Sequence, residues 1–260
     1  MFVDSHCHLD KLKDVPNGIQ SVVKSAQEQK VEHMLCVATS VREYEDMYDK
    51  VKGFDNVSVS CGVHPLHQDD ACDYETLLAC VSRPEVVAVG ETGLDYHYSA
   101  DTKEVQKVSF VDHIKAANAL DKPLIIHTRN AQQDTLNALK QHKAESTKGV
   151  LHCFTESLEM ANEAMELGMY ISISGIVSFK SAKELQDTVK QIPLEKLLIE
   201  TDSPWLAPVP HRGKENKPEY VRDVAHFIAE LKNISVQELA KVTTDNFYEL
   251  FSLIKRDKNV

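Results

Sequence analysis

Long apolar runs are missing from this chain. Stretches such as Leu197–Ile199 fall far short of the ~20 apolar residues that span a bilayer, so no membrane association is expected. A basic leader is also missing. The opening MFVDSHCHLD carries charge at once, which argues against a secretory signal and for a cytoplasmic protein. Positive charge is scarce, with 29 Lys and Arg against 40 Asp and Glu and a formal net charge of −11. That excludes a protein gripping nucleic acid through a broad basic surface. It does not exclude an enzyme of nucleic acid, because bound cations supply positive charge locally. Glycine and proline number only nine each, too few for a collagen-like or linker-dominated chain. None of the six cysteines forms a CxxC pair, and without a leader they read as reduced thiols. Tryptophan occurs once.

What is present is an ordered globular composition, 42% hydrophobic and 27% charged. The 260 residues suit a single domain over 1–260, because an eight-stranded α/β barrel typically takes ~250. Eight β-rich runs recur, at 2–9, 33–38, 57–63, 85–91, 123–128, 149–154, 170–175 and 196–202. Helical patterns alternate with them, clearest at 104–121, 131–142 and 218–233, and two short helices are expected near 235–252. Strands alternating with helices imply parallel pairing. Right-handed crossovers leave a closed barrel or an open doubly wound sheet. The polar interruptions fall at the C-terminal ends of the runs, where barrel enzymes build their sites. The expected fold is therefore α/β, a (β/α)8 TIM barrel.

The chemistry-bearing residues sit at those ends. His6 and His8 are two apart, so in a strand both imidazoles share a face while Cys7 faces the outer layer. Val87, Val89 and Glu91 share parity, which makes Glu91 the cap of an inward apolar column. A carboxylate there needs a cation or several donors to stay ionised. His127, His152 and Asp202 end the fifth, sixth and eighth runs, and Cys153 is expected on the outer side. One such residue is ordinarily a satisfied core group. Six together exceed what one tetrahedral ion needs. Two divalent cations bridged by Glu91 would use them all, His6, His8 and Asp202 on one and His127 and His152 on the other. Such ligands suit Mg, Mn or Zn without choosing among them. Asp4 and Glu200 are expected either to orient the histidines from below or to form a structural pair.

These residues lie in motifs that run nearly the whole length: DSHCHLD (4–10), CGVHP (61–65), GETGLDY (90–96), IHTR (126–129), LHCFT (151–155), SISG (172–175), ETDSPWLAP (200–208) and HRGKENKP (211–218). Jointly they resemble the TatD family of metal-dependent deoxyribonucleases, of the YcfH type, within the amidohydrolase-like hydrolases. The resemblance implies the barrel, the same six metal ligands, and hydrolysis of DNA phosphodiesters, in TatD itself from the 3′ end.

On this reading a water activated by two metals attacks phosphorus. Asp202 is the candidate base and Glu91 the bridging acid. His64, at the end of the third run, is expected on the scissile phosphate or leaving group. Arg129 is a candidate phosphate clamp, with a salt bridge as the alternative. The loop 203–217 is proline-rich, and Arg212, Lys214 and Lys217 outnumber Glu215 within it. Arg212 is read as a substrate contact and Trp205 as a stacking face or, alternatively, core. Glycines 90 and 93 are expected in turns, Asp95 as a further supporting acid or a turn former, and Cys72 and Cys80 on helix faces. The partner is DNA with single-stranded ends, and the chain is expected to act as a monomer. A metal-activated water also attacks carbonyl carbon, so an aminoacyl-tRNA ester, amide or lactone substrate stays open. A metal-binding scaffold without activity is the remaining alternative.

Overall fold

Short β-branched runs build eight strands: β1 (Phe2–Cys7), β2 (Val31–Val37), β3 (Val57–Cys61), β4 (Val86–Asp95), β5 (Leu124–Arg129), β6 (Gly149–Leu151), β7 (Met169–Ile173) and β8 (Leu197–Ile199). In this computed structural model, which describes residues 1–13, 15–143 and 146–256, neighbouring strands pair in chain order and in parallel. A bridge between Cys7 and Ser203 joins the two edges at the mouth. There the Asp202 amide donates to the His6 carbonyl at 2.9 Å and the His8 amide to the Ser203 carbonyl at 2.8 Å. The seven connections carry α1 (Ile19–Glu28), α2 (Tyr44–Val51), α3 (Tyr74–Val81), α4 (Lys103–Leu120), α5 (Gln132–His142), α6 (Leu158–Glu166) and α7 (Lys183–Gln191). After β8 come α8 (Val221–Lys232) and α9 (Val236–Leu250). The fold is the expected (β/α)8 barrel.

Side-chain alternation divides the apolar residues into two layers. Val3, Leu35, Val37, Val87, Ile125 and Leu198 fill the barrel, and Phe247, Leu250 and Phe251 seal its lower end. The opposite faces pack under the helices, Cys7 and Cys36 among them. This plug is one helix, not the two short ones expected. Ser235 caps it through the Glu238 amide, and no glycine or proline interrupts 236–250.

β4 departs most from expectation. It runs through to Asp95, so glycines 90 and 93 lie within a strand and not in turns. Nor do Val87, Val89 and Glu91 form one column. Pairing with β3 slips between Val59 and Ser60. Val87 and Ala88 then both belong to the interior while Val89 packs with the outer layer. A bulge of this kind re-aims the residues beyond it. Gly90, at φ 144°, carries the chain into Glu91, and a Cβ there would lie 2.5 Å from the Ile125 carbonyl oxygen. Gly93, at φ 132°, lies where any Cβ would overlap the His127 carbonyl. Both glycines are needed because β5 approaches so closely.

Candidate metal centre

The ends of β1, β4, β5 and β6 and the segment after β8 converge at the mouth. His6 and His8 point their Nε2 atoms together, 3.1 Å apart. The two oxygens of Glu91 serve different neighbours. Oε2 lies 3.4 Å from His6 Nε2 and 3.8 Å from His8 Nε2. Oε1 lies 2.7 Å from His152 Nε2, 3.2 Å from His64 Nε2 and 3.4 Å from His127 Nδ1. Asp202 Oδ1 is 3.5 Å from His8 Nε2 and 3.9 Å from His6 Nε2. Three overlapping groups have donor atoms close enough to share an ion: His6, His8 and Glu91; His6, His152 and Asp202; and His64, Glu91 and His127.

The far sides of the rings decide which nitrogens carry lone pairs. His8 Nδ1 is 2.7 Å from the Val37 carbonyl oxygen, an acceptor, so that nitrogen bears the hydrogen and Nε2 is free to ligate. His152 Nδ1 faces Glu200 Oε1 at 3.3 Å, which frees its Nε2 in the same way. His127 is reversed: Nε2 is held by Asp95 Oδ2 at 3.0 Å, so Nδ1 faces Glu91. His64 differs from all three. Its Nδ1 accepts the Leu66 amide at 3.1 Å, so Nε2 carries the hydrogen and is a donor. His152 Nε2, although 2.7 Å from Glu91, has no hydrogen bond of acceptable geometry. A buried ring nitrogen aimed at a carboxylate fits a cation between them, either a proton or a metal ion in its place, and a donor set of imidazoles and carboxylates suits the metal ion.

Charge follows the same division. Burial alone would raise the Glu91 carboxyl, but the imidazoles of His152 and His64 outweigh it and hold it well below the usual range. Burial likewise opposes charge on His152, but Glu91 and Glu200 carry its pKa well above the ordinary value. Burial would also raise Asp202, and His8, His6 and His152 bring it down. His64 is pushed down to about 4, mainly by burial, and is neutral.

The supports differ from expectation in part. Glu200 orients His152 and also accepts the Cys153 amide at 2.8 Å. Asp4 touches no imidazole. It accepts the Thr201 amide at 2.8 Å and the Thr201 hydroxyl at 2.5 Å, and burial pushes its carboxyl up to about 8. It therefore secures the segment leading to Asp202. At φ 42° the Cys153 thiol turns to Ser174, 3.1 Å away. Cys80 lies on α3 as expected, but Cys72 precedes that helix.

Around the mouth, Arg129 pairs with no carboxylate among the described residues; its guanidinium lies 4.6 Å over the Tyr98 ring. Trp205 is half exposed rather than core, and its ring meets His8 in a T-shaped contact with 5.1 Å between centroids. Arg212 stacks on Phe179 at 3.7 Å. Buried Asn216 fixes this loop by donating to the Thr201 and Trp205 carbonyls at 2.8 and 2.5 Å. Sequence reading passed over Asn216, Tyr98 and the bracing residues Gln106 and His113. Asn216 lay within the HRGKENKP motif already quoted, and the buried polar positions of α4 carried no separate signal.

A closed parallel barrel with imidazoles gathered around a shared carboxylate at its C-terminal mouth defines a metal-dependent hydrolase. The sequence profile of the TatD related DNase family matches residues 3–252. The uncharacterized metal-dependent hydrolase YcfH of Escherichia coli K12 is 51% identical over 253 residues, 96% of each chain. A mouse protein named as a putative deoxyribonuclease is 31% identical, across 96% of this chain and 87% of its own. The crystal structure of YJJV, a TatD homolog from Escherichia coli K12, superposes with a TM-score of 0.90 at 28% identity, covering 96% of this chain and 98% of that one. This chain belongs to the TatD family.

Proposed function

We propose that the protein is a deoxyribonuclease that hydrolyses DNA phosphodiesters with two divalent cations, removing nucleotides from 3′ ends as the family resemblance implies. The observation that carries this reading is the division of the Glu91 carboxylate between two sets of imidazoles. His6, His8 and Asp202 would hold one ion, His127 and His152 the other, and Glu91 both. Mg, Mn or Zn bound there would lower the pKa of a water and polarise a phosphoryl oxygen.

The remaining work belongs to the chain. Asp202 stays ionised beside His8, so it can accept the proton of the attacking water. His64 Nε2–H donates to a phosphoryl oxygen, because Leu66 occupies its other nitrogen. Its neutrality suits a hydrogen-bond donor and not a strong acid. Asp95 and Glu200 keep His127 and His152 in the tautomers that present lone pairs inward. Arg129, Arg212 and Trp205 contact the strand outside the reacting centre.

An end-labelled single-stranded oligonucleotide, incubated with Mg²⁺ or with EDTA, tests this. The expected result is a ladder shortening from the 3′ end, lost with EDTA and in Glu91→Ala. No cleavage with Mg²⁺, Mn²⁺ or Zn²⁺, by protein shown to bind two ions, would reject the nuclease and direct assays to aminoacyl esters and amides.

A further inference from the structure

The net charge of −11 leaves open how such a protein would hold a polyanion beyond the reacting phosphate. The exposed apolar surface suggests how. Four of the large exposed hydrophobic side chains stand on loops at the mouth: Leu66 after β3, Tyr98 after β4, and Trp205 and Val209 after β8. In a ring of eight strands, β4 and β8 are four places apart and therefore opposite. Tyr98 and Trp205 thus face each other's side of the mouth with the Glu91 cluster between them.

Both rings are held by their backbones and stay largely exposed, although Arg129 lies over one face of Tyr98 at 4.6 Å and His97 meets that ring at 4.6 Å between centroids. The Tyr98 and His97 amides donate to Asp95 Oδ1 at 2.8 and 2.9 Å. Gln106, fully buried on α4, closes the same loop through the Ser99 carbonyl at 2.8 Å. Tyr98 remains 64% exposed. The Trp205 amide donates to the Asp202 carbonyl at 3.0 Å, Asn216 holds its carbonyl, and the indole is 50% exposed. Arg129 lies over Tyr98, and Arg212, seven residues after Trp205 in the same loop, stacks on Phe179. Asp95 also holds His127, and Trp205 lies against His8, so each shelf is tied to a candidate metal ligand.

Resting on the nuclease reading above, we propose that Tyr98 and Trp205 are two opposed stacking shelves that take an unpaired base on either side of the scissile phosphate. Aromatic shelves accept every base, since each has a π-face, and they need little basic surface. The adjoining arginines meet the flanking phosphates. Bases in a duplex have their faces covered by their neighbours, so shelves of this kind accord with the single-stranded ends already expected of the substrate.

The test compares a base-bearing single strand, an abasic strand of the same length and a blunt duplex. Tyr98→Ala and Trp205→Leu should each raise KM for the base-bearing strand by ~10-fold. They should shrink its KM advantage over the abasic strand, and Tyr98→Phe and Trp205→Phe should restore it. If the wild type cleaves but KM for the base-bearing strand is unmoved, or falls off equally on the abasic strand, the shelves are refuted and the nuclease stands. If the wild type cleaves nothing, the nuclease reading has failed. The fluorescence of the sole tryptophan then decides the shelves alone. Saturable quenching by the oligonucleotide in EDTA, weakened in Tyr98→Ala, supports them, and no quenching overturns them.

Discussion

His113 is fully buried on α4, and both of its ring nitrogens are engaged. Nδ1 is 2.7 Å from the Ser109 carbonyl oxygen, and Nε2 accepts the Val63 amide at 2.9 Å. The ring thereby braces the residue next to His64. A proton on Nε2 would set donor against donor and bury a cation. Burial accordingly pushes its pKa from 6.5 down to about 4. The unfolded chain therefore takes up this proton first, and stability that is complete above pH 6.5 is lost as the pH falls toward 4. A drop of that size corresponds to about 3 kcal/mol. Urea unfolding in EDTA at intervals from pH 7 to pH 4 measures it. His113→Gln should be less stable at pH 7 by about 1–3 kcal/mol, the cost of an imperfectly satisfied Val63 amide. The two stability curves should then converge on acidification, because the variant lacks the proton uptake. Parallel curves would refute the brace.

Gly93→Ala should cost more than ~3 kcal/mol in thermal or urea unfolding, since the methyl overlaps the His127 carbonyl at a φ of 132°. An unchanged melt would show that β4 and β5 can separate. Asn216→Ala strands the Thr201 and Trp205 carbonyls and should destabilise by about 2–3 kcal/mol, with the Trp205 emission shifting to the red as the loop loosens. An emission spectrum identical to wild type would count against it. Asp202→Asn should lower kcat on DNA by ~100-fold or more while calorimetry still detects divalent ions, and full turnover would remove Asp202 as the base. EDTA should lower the melting temperature of the wild type, because ions that bind only the folded cluster stabilise it. Glu91→Ala should lose most of that response, and an equal shift in both would place the stabilising ion elsewhere.

Much of the centre was legible in advance because barrel chemistry is written at strand ends. His6, His8, His127 and His152 each end an apolar run, and the fold brings the ends of all eight runs to one mouth. Periodicity failed at Glu91. The structure places Glu91 among the imidazoles, but Val89 and Glu91 do not share the column their parity implies, since the slip against β3 shifts that parity. The expectation of two short helices at the C-terminus failed although 236–250 holds no glycine or proline to break a helix, and the single α9 carries Phe247 and Leu250 to the barrel floor.

The sequence alone determined the alternation of strands and helices, the donors available at the strand ends and the scarcity of basic surface. These follow from local periodicity and side-chain chemistry. Only the tertiary structure decided which nitrogen of each imidazole faces inward. That choice rests on partners far along the chain: Val37 for His8, Asp95 for His127 and Glu200 for His152. It likewise set Tyr98 opposite Trp205, because closing eight strands into a ring fixes which loops face each other, and no short-range pattern carries that information.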